Sequence, residues 1–275
     1  MSISTAVIPV AGLGTRMLPV SRLVPKEFLP LGRKPAIQLV AEELLAAGIR
    51  RFVFVVSPRK TSLCNLFGDN ENRLAGFEDS EFEFVIQEEQ LGLGHAILCA
   101  AETVGDNAFA VALGDCLVGL PGQTDLLKQL INKKGDNRIA IGFEPVPQKS
   151  VSRYGIAITQ SKESVFDLQG VVEKPDADVA PSNLAVCGRY VFDGEIFAAL
   201  RQTSFDAKRE IQLTDAINRM INESTTGIGV RVPDGVRRYD IGNMESYVSA
   251  FAQFAFHDET LREKILAVGN GAKKS

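Results

Sequence analysis

A glycine-rich turn followed by two positive charges lies near the start of the chain. Residues 6–31 read AVIPVAGLGTRMLPVSRLVPKEFLPL, an apolar run that leads into Gly12 and Gly14 and then into Arg16 and Lys26. Glycine leaves backbone N–H groups accessible to an anion, and the arginine and lysine supply fixed positive charge beside them. The spacing matches neither a P-loop, GxxxxGKS or GxxxxGKT, nor a dinucleotide-binding fingerprint. It predicts a different kind of phosphate-binding loop.

Two aspartates follow predicted strands and could hold a metal ion. Asp115 comes after the apolar run Ala108–Leu113, and Asp240 comes directly after Val236–Tyr239. If these strands are parallel to the first one, both carboxylates emerge at the sheet edge where open α/β sheets bind ligands. Two carboxylates facing phosphate oxygens favour Mg²⁺. The alternative is that each aspartate caps a turn, where this residue is common.

Glu173 and Lys174 stand side by side in the run VVEKP, at the end of another predicted strand. Neighbouring strand residues point to opposite faces, so an ion pair between them is not the obvious explanation. In the functional interpretation, Lys174 binds a second phosphate and Glu173 binds the hydroxyl groups of a polyol. Otherwise both belong to a solvated strand edge. Tyr154 and Gly155 could place a backbone N–H against a sugar hydroxyl, or could simply begin a strand.

Gln87 closes a predicted strand, and the run GLGHA at residues 92–96 opens the next helix. A side-chain amide can donate and accept at once, which suits the edge of a pyrimidine. Gly92 would let the backbone approach the same ring. The alternative is a surface glutamine beside an ordinary turn. We expect His95 to be a packed or capping residue rather than a catalytic base.

Composition narrows the class of partner. The 275 residues carry 34 acidic and 30 basic side chains, a formal net charge of -4. Because the charges are interleaved and form no basic stripe, nucleic acid and anionic membranes are poor candidates, and we expect a small substrate. The chain shows neither an apolar run long enough to span a membrane nor an export signal, so the expected compartment is the cytoplasm. The cysteines are widely spaced and expected to be reduced thiols: Cys64, Cys99, Cys116 and Cys187.

Apolar strands alternate with helical patterns through the first half of the chain, which predicts an α/β fold with a mostly parallel sheet. After Asp115 strands outnumber helices, and this half reads as an extension of the sheet with a substrate-facing lobe inserted in one domain. The predicted strands are Ala6–Val10, Phe52–Val56, Phe82–Ile86, Ala108–Leu113, Ile139–Phe143, Gly155–Thr159, Val165–Val172, Leu184–Phe192 and Val236–Tyr239. The predicted helices are Pro35–Ala47, Leu93–Thr103, Gly194–Arg201, Glu210–Asn222, Met244–Phe256 and Glu259–Ala267.

The motifs taken together resemble those of bacterial UTP–glucose-1-phosphate uridylyltransferases, a branch of the sugar-1-phosphate nucleotidylyltransferases. The resemblance is carried along nearly the whole chain by GLGTRMLP with PKE, GLGHA, LGD, VVEKP, APSNLAVCGRYVF and EIQLTDAI. GxGTR with PKE marks the superfamily, whereas VVEKP, PSNLA and EIQLTDAI are closer to the uridylyltransferases than to the thymidylyltransferases. The resemblance implies a Rossmann-like nucleotidyltransferase fold, a mostly parallel central mixed sheet flanked by helices, with a sugar-binding lobe.

The same resemblance implies a reaction and a set of site residues. UTP and α-D-glucose 1-phosphate would give UDP-glucose and pyrophosphate, with Mg²⁺ held by Asp115 and Asp240. Gln87 and Gly92 would contact the uracil. The triphosphate would lie against Ala11, Gly12, Leu13, Gly14, Thr15, Arg16 and Lys26. The sugar phosphate would lie against Tyr154, Gly155, Glu173, Lys174 and Gly188. Catalysis by positioning and charge neutralisation would rest on Arg16, Lys26, Asp115, Lys174 and Asp240.

The resemblance also frames the organisation of the chain. We expect one domain, with a nucleotide-binding part over about residues 1–115, a sugar-binding part over about 116–240 and C-terminal helices over 241–275, assembled as a homodimer or homotetramer. Asn65–Glu83 is more compact than the family's usual segment, and Met244 stands where members often carry lysine. Two alternatives stay open: an enzyme for dTTP or another sugar 1-phosphate, and a non-catalytic regulatory relative. Such relatives lose the arginine of the GxGTR loop, whereas Arg16 is present.

Overall fold

The computed structural model describes residues 3–60, 62–68, 74–224 and 227–272. Its strands are β1 Thr5–Pro9, β2 Pro30–Leu31, β3 Lys34–Pro35, β4 Arg51–Val56, β5 Glu81–Ile86, β6 Phe109–Ala112, β7 Cys116–Val118, β8 Ile139–Pro145, β9 Gly155–Ala157, β10 Val165–Asp167, β11 Val171–Glu173, β12 Leu184–Phe192, β13 Gly227–Arg231 and β14 Arg238–Asp240. Its α-helices are α1 Ala36–Ala46, α2 Ser62–Phe67, α3 Gly92–Cys99, α4 Ala101–Val104, α5 Leu126–Lys134, α6 Ile196–Arg201, α7 Leu213–Ser224, α8 Met244–His257 and α9 Glu259–Ala272. Short 3-10 helices cover Thr15–Met17, Val20–Arg22, Lys26–Phe28 and Gln148–Arg153.

The main sheet has the order β10-β13-β8-β12-β6-β1-β4-β5. Strand β1 lies parallel between β4 and β6, and β4 is parallel to β5, so the first half of the chain forms a parallel sheet as predicted. Both faces of β1 are covered, because Val7 packs in one apolar core cluster and Ile8 in the other. Strands buried on both faces require continuous apolar sequence, which explains the run AVI in β1. The predicted α/β fold class is confirmed.

Strand β12 joins the two halves of the sheet. It is antiparallel both to β6 and to β8, with a register shift between Val186 and Tyr190. The predicted strand Val165–Val172 is wrong in its continuity: the chain divides into β10, which pairs with β13, and β11, which pairs with β9. Gly170, with φ +154°, lies between them. The antiparallel half is therefore less regular than the alternating apolar pattern suggests.

Strand β14 does not join the main sheet. It pairs antiparallel with β7 in a separate two-stranded sheet, with Asp240 opposite Cys116. The assumption that Asp240 leaves a strand parallel to β1 is therefore wrong. The two aspartates nevertheless meet, because Asp115 directly precedes β7 and the antiparallel pairing places Asp240 beside it.

The buried side chain of Arg189 ties three parts of the fold together. From the middle of β12 it donates to both carboxylate oxygens of Glu43 on α1, at 2.8 and 2.7 Å. It also donates to the carbonyl oxygens of Cys116 at 2.9 Å and Gly188 at 3.0 Å. Because Cys116 follows Asp115, this pair fixes the start of β7 against the central sheet.

Two sequence features remain to be placed. Of the compact segment Asn65–Glu83, residues 69–73 lie outside the described residues. Among the helices that the structure describes, none combines the length and the apolar character needed to cross a membrane.

Replacing Arg189 by methionine tests how much its buried ion pair contributes to the free energy of unfolding. Arg189→Met leaves the Glu43 carboxylate without a cation and two carbonyls without a donor, so the free energy of unfolding should fall by about 3–5 kcal/mol. Urea denaturation followed by circular dichroism measures the change. Arg33→Met is the control, since Arg33 pairs with Asp258 at the surface and its loss should matter little. Equal midpoints for the two variants would contradict the assignment.

Candidate active site

The predicted phosphate loop leaves β1 as an exposed turn anchored at one point. Gly14 adopts the left-handed conformation, φ 64° and ψ 32°, where it begins the 3-10 helix Thr15–Met17. A Cβ at Gly14 would be strained, whereas a Cβ at Gly12 would meet no protein atom within 4 Å. Met17 is buried and fixes the far end of the turn. Gly14 is thus needed by the fold, and Gly12 leaves space that the protein itself does not use.

A buried ion pair lies beneath this loop. Nζ of Lys60 donates to the carbonyl oxygen of Val10 at 2.6 Å and to both oxygens of Glu27 at 3.0 and 2.9 Å. Burial dominates both groups: it raises the pKa of Glu27 and lowers the pKa of Lys60, and each partner only partly offsets the effect. The pair therefore holds the end of β1 against the 3-10 helix that carries Lys26.

Lys26 forms an ion pair with Asp115 across the mouth of the site. Burial alone would lower the pKa of Lys26, but the carboxylates of Asp115 and Glu27 outweigh it and the pKa is raised. Burial alone would raise the pKa of Asp115, but the Lys26 ammonium holds it below its usual range. Both groups are therefore charged over the ordinary pH range, and Lys26 neutralises one of the two aspartates.

Asp240 lies on the chain segment beside Asp115. The N–H of Ile241 donates to the carbonyl oxygen of Asp115 at 3.0 Å, which fixes the two chain segments together. A Cβ at Gly242 would lie 2.6 Å from Oδ1 of Asp240 and 3.0 Å from Nη2 of Arg16, so Arg16 and Asp240 border the same small space. Arg16, Lys26, Asp115 and Asp240 thus converge as predicted.

The paired aspartates are a suitable but incomplete donor set for a hard divalent cation. Carboxylate oxygens are the side-chain ligands such ions take, and each carboxylate here has an opposite charge nearby. Within the described ranges, no group of three or more His, Cys, Asp or Glu side chains is placed to hold a metal ion. A cation bound here would therefore need further oxygens from a ligand, as phosphates provide.

Two cavities meet at Asp115. One, of about 520 Å³, lies on the loop side and includes the predicted nucleotide-binding residues Ala11, Gly12, Leu13, Gly14, Thr15, Lys26, Gln87 and Gly92. The other, of about 690 Å³, includes Arg16, Asp240 and the predicted sugar-phosphate-binding residues Tyr154, Gly155, Glu173, Lys174 and Gly188. Asp115 lines both cavities, together with Leu93, Leu113 and Glu210. The structure therefore brings together every residue that the sequence singled out for the site.

Gln87 is a buried residue of the cavity on the loop side, with a relative exposure of 3%, so the alternative of a surface glutamine is wrong. Its Nε2 lies 3.3 Å from the carbonyl oxygen of Gly92 and 2.9 Å from Nδ1 of His95. His95 is a packed residue, as predicted. Gly92 has φ +93°, and a Cβ there would come within 2.9 Å of Glu210. The glycine is required by local packing as well as by any approach of a ligand.

Glu173 and Lys174 form an ion pair at 2.8 Å, contrary to the expectation from strand alternation. The reason is that β11 ends at Glu173 and Lys174 has a left-handed backbone, φ 46°, which turns its side chain back toward its neighbour. Oε2 of Glu173 also accepts from Thr214 at 2.8 Å. An uncommon backbone at a non-glycine residue marks a site that the surroundings hold in place.

Several residues of the site had little signal in the sequence. Arg238 packs its guanidinium 4.0 Å from the ring centre of Tyr154 and pairs with Glu144 at 2.7 Å. Its only sequence signal was its place two residues before Asp240. On the outer side of the loop a recess of about 410 Å³ exposes Arg22 and Arg59, for which the described chain supplies no ion-pair partner.

The ion pair under the loop gives a pH-dependent prediction. Lys60→Met leaves the Glu27 carboxylate buried and unpaired, and at about pH 7.5 the free energy of unfolding should fall by about 3–5 kcal/mol. A carboxyl whose folded-state pKa is raised above its unfolded value of about 4.3 loses stability as the pH rises through the folded value. The deficit should therefore shrink at about pH 5, measured by urea denaturation.

The double variant Lys60→Met, Glu27→Gln is the matched control, because it removes the charge that the single variant strands. It should recover most of the lost stability and show no such pH dependence. A single variant with the same deficit at both pH values would rule out a buried charge as the cause.

Comparison with known proteins agrees with this geometry. Residues 5–256 match the family model described as Nucleotidyl transferase. The chain is 35% identical to a UTP–glucose-1-phosphate uridylyltransferase of Bacillus subtilis, over 97% of this chain and 96% of that protein. It is 38% identical to the one of Staphylococcus haemolyticus, over 96% of each.

Solved structures agree with the sequence relatives. A UTP-bound UGPase from Acinetobacter baumannii superposes with a TM-score of 0.87 and 34% identity, covering 97% of this chain and 98% of that one. A UDP-glucose pyrophosphorylase complexed with UDP-glucose gives 0.85 and 35%, covering 93% and 100%. The resemblance carried by the motifs is confirmed, and this chain belongs to the nucleotidyl transferase family and, within it, to the UTP–glucose-1-phosphate uridylyltransferases.

Proposed function

We propose that this chain transfers a uridylyl group from UTP to α-D-glucose 1-phosphate, giving UDP-glucose and pyrophosphate. The observation that carries the proposal is the meeting of two cavities at Asp115, one lined by the phosphate loop and the other by Lys174 and Glu173. A reaction that joins two phosphates needs such a junction between two sites for anions. The UTP-bound and UDP-glucose-bound relatives support the choice of substrates.

The cavity on the loop side, the nucleotide-side cavity, would bind UTP. Backbone N–H groups of the loop at Gly12 and Gly14 would receive the phosphates, with Arg16 and Lys26 neutralising their charge. Gln87 would contact the uracil edge. The recess with Arg22 and Arg59 lies on the outer side of the loop and is lined by Gly14 and Thr15. It would receive the departing pyrophosphate.

Asp115 and Asp240 would hold Mg²⁺, which when bound supplies charge neutralisation for the phosphate oxygens. Binding would require Lys26 to leave Asp115, and the phosphates of the nucleotide give its ammonium a new partner. Lys26 and the two aspartates would therefore exchange partners as the substrate enters. The aspartates need no proton transfer in this role.

The cavity that includes Glu173 and Lys174, the sugar-side cavity, would bind glucose 1-phosphate. Lys174 would pair with its phosphate, while Glu173, held by Thr214, would accept hydrogen bonds from hexose hydroxyls. Gly155, Tyr154 and Gly188 would border the ring, since all three line this cavity.

The chemical step needs no covalent enzyme intermediate. A phosphate oxygen of glucose 1-phosphate attacks the α-phosphorus of UTP in line, and the bond from that phosphorus to the oxygen bridging to the β-phosphate breaks. Pyrophosphate leaves with the electron pair. Two polyanions must approach each other, so positioning and neutralisation by Arg16, Lys26 and Lys174 would provide most of the rate enhancement.

We further propose that the whole chain acts as one domain, with about residues 1–115 binding the nucleotide, about 116–240 binding the sugar, and C-terminal helices after residue 240. Assembly into a homodimer or homotetramer belongs to the same proposal. It would use apolar surface on the last two helices, where Phe256 and Leu266 are exposed. The cytoplasm, which supplies nucleoside triphosphates, is the proposed compartment.

A pyrophosphate-release assay tests the function directly. Purified protein with Mg²⁺, UTP and glucose 1-phosphate should release pyrophosphate and form UDP-glucose, detected by anion-exchange chromatography. Parallel reactions replace UTP by dTTP, or glucose 1-phosphate by galactose or mannose 1-phosphate. Faster turnover of one of these pairs would reassign the substrate, and no turnover of any pair would indicate a non-catalytic relative.

The aspartate pair gives a sharper test of the metal site. Asp240→Asn should reduce turnover about 10²-fold or more, as loss of a preorganised charge does, and should raise the Mg²⁺ concentration needed for half-maximal rate. Asp115→Asn should do the same and also destabilise the fold by roughly 1–3 kcal/mol, because it strands Lys26. Asp258→Asn, at the surface pair with Arg33, is the matched control. Full activity in both site variants would exclude this metal site.

Two glycine substitutions separate ligand approach from backbone strain. Gly12→Ala should leave the melting temperature unchanged, because its Cβ meets no protein atom within 4 Å. It should lower kcat/KM for UTP about 10²-fold, because the phosphates can no longer approach the backbone. Gly14→Ala should also destabilise the protein, by roughly 1–2 kcal/mol for a left-handed alanine. An active Gly12→Ala variant would place the phosphates elsewhere.

A further inference from the structure

The side-chain amide of Gln87 has one allowed orientation, and its surroundings determine which. Its terminal amide faces the carbonyl oxygen of Gly92 at 3.3 Å. A carbonyl can only accept a hydrogen bond, so the amide atom on that side must be the nitrogen, Nε2. The opposite orientation would place two acceptors against each other.

His95 strengthens this orientation through a shorter hydrogen bond. Nε2 of Gln87 lies 2.9 Å from Nδ1 of His95, and because an amide nitrogen can only donate, its second N–H donates and Nδ1 accepts. The imidazole tautomer that makes this contact carries its proton on Nε2. That N–H faces Sγ of Cys99 at 3.9 Å, a weak acceptor on the next turn of α3.

Both N–H groups of the Gln87 amide are thus used inside the protein, and its oxygen is not. Among the described residues no hydrogen-bond donor reaches Oε1 of Gln87, although the residue is almost entirely buried. Gln87 lines the nucleotide-side cavity together with Gly92. The protein therefore offers this cavity a hydrogen-bond acceptor at the position of Oε1.

We propose that His95 is a positioning residue that selects the nucleobase by fixing the polarity of the Gln87 amide. A fixed acceptor matches a pyrimidine that carries a proton on N3, as uracil does, and opposes one whose N3 is a bare acceptor, as in cytosine. The inference rests on the proposed function, since it takes the nucleotide-side cavity to bind UTP. It adds the reason that the cavity discriminates between UTP and CTP.

The physical argument is the cost of an unpaired buried group. With cytosine in place, Oε1 would face another acceptor, and neither atom could be solvated inside the cavity. Sites built around such hydrogen bonds reject the mismatched ligand more strongly than apolar pockets do. If His95 is removed, only the long contact to Gly92 holds the amide, and a flipped amide could donate to cytosine.

A matched pair of variants tests this proposal. Asparagine and leucine have nearly the same shape, but only His95→Asn keeps an acceptor close to the position of Nδ1. We expect His95→Leu to raise KM for UTP more than it lowers kcat, and to reduce the ratio of kcat/KM for UTP to that for CTP by about tenfold. His95→Asn should restore most of this ratio.

The outcomes separate this inference from the proposed function. An active wild type that prefers UTP, with His95→Leu retaining the full preference, would overturn the role of His95 and leave the function intact. Equal loss in His95→Asn and His95→Leu would also overturn it, because packing rather than the acceptor would be the cause. If the wild type shows no turnover, calorimetric binding of UTP and CTP to the same three proteins decides: equal wild-type affinities overturn the inference, and a preference lost only in His95→Leu supports it.

Discussion

A buried lysine–glutamate pair determines where the phosphate loop lies. Lys60 donates both to the carbonyl oxygen of Val10, directly after the first strand, and to the carboxylate of Glu27. Burial opposes the charge on each group, so the pair is stable only while both partners are present. Since Glu27 sits next to Lys26, holding one directs the other toward Asp115. The position of the Lys26 ammonium thus depends on a second ion pair that is more deeply buried than its own.

The same charges explain how the site tolerates two neighbouring carboxylates. Asp115 and Asp240 would repel each other, but Lys26 neutralises the first and Arg16 borders the second. In the proposed function, the negative charge of a nucleotide would attract these cations away from the aspartates. A divalent ion would then replace them. Under that proposal the aspartates would have opposite charge beside them with or without the substrate, and Asp115, which lines both cavities, would be the carboxylate at which the exchange occurs.

Much of the fold and most of the site could be predicted from the sequence. The loop, Gln87, Lys174 and the two aspartates carried recognisable motifs, and the parallel half of the sheet followed from its apolar runs. The route by which Asp240 reaches Asp115 could not be predicted, because β7 and β14 are three-residue strands that pair with each other in a sheet of their own. Short pairs of this kind have too few residues to show a period.

The hydrogen-bond and ion-pair partners of side chains could not be predicted either, because sequence periodicity indicates the face on which a residue lies but not the positions of its side-chain atoms. Alternation along a strand separates Glu173 from Lys174, and one left-handed residue reverses that conclusion. In the same way, the motif GLGHA predicted a turn beside Gln87 but not the direction of the Gln87 amide. That direction follows from the hydrogen bonds of the amide nitrogen to the carbonyl of Gly92 and the imidazole of His95. The residue types of the site thus indicate its chemistry. Its selectivity, in the proposal made for Gln87, depends on which atom of the amide has no hydrogen-bond partner inside the protein.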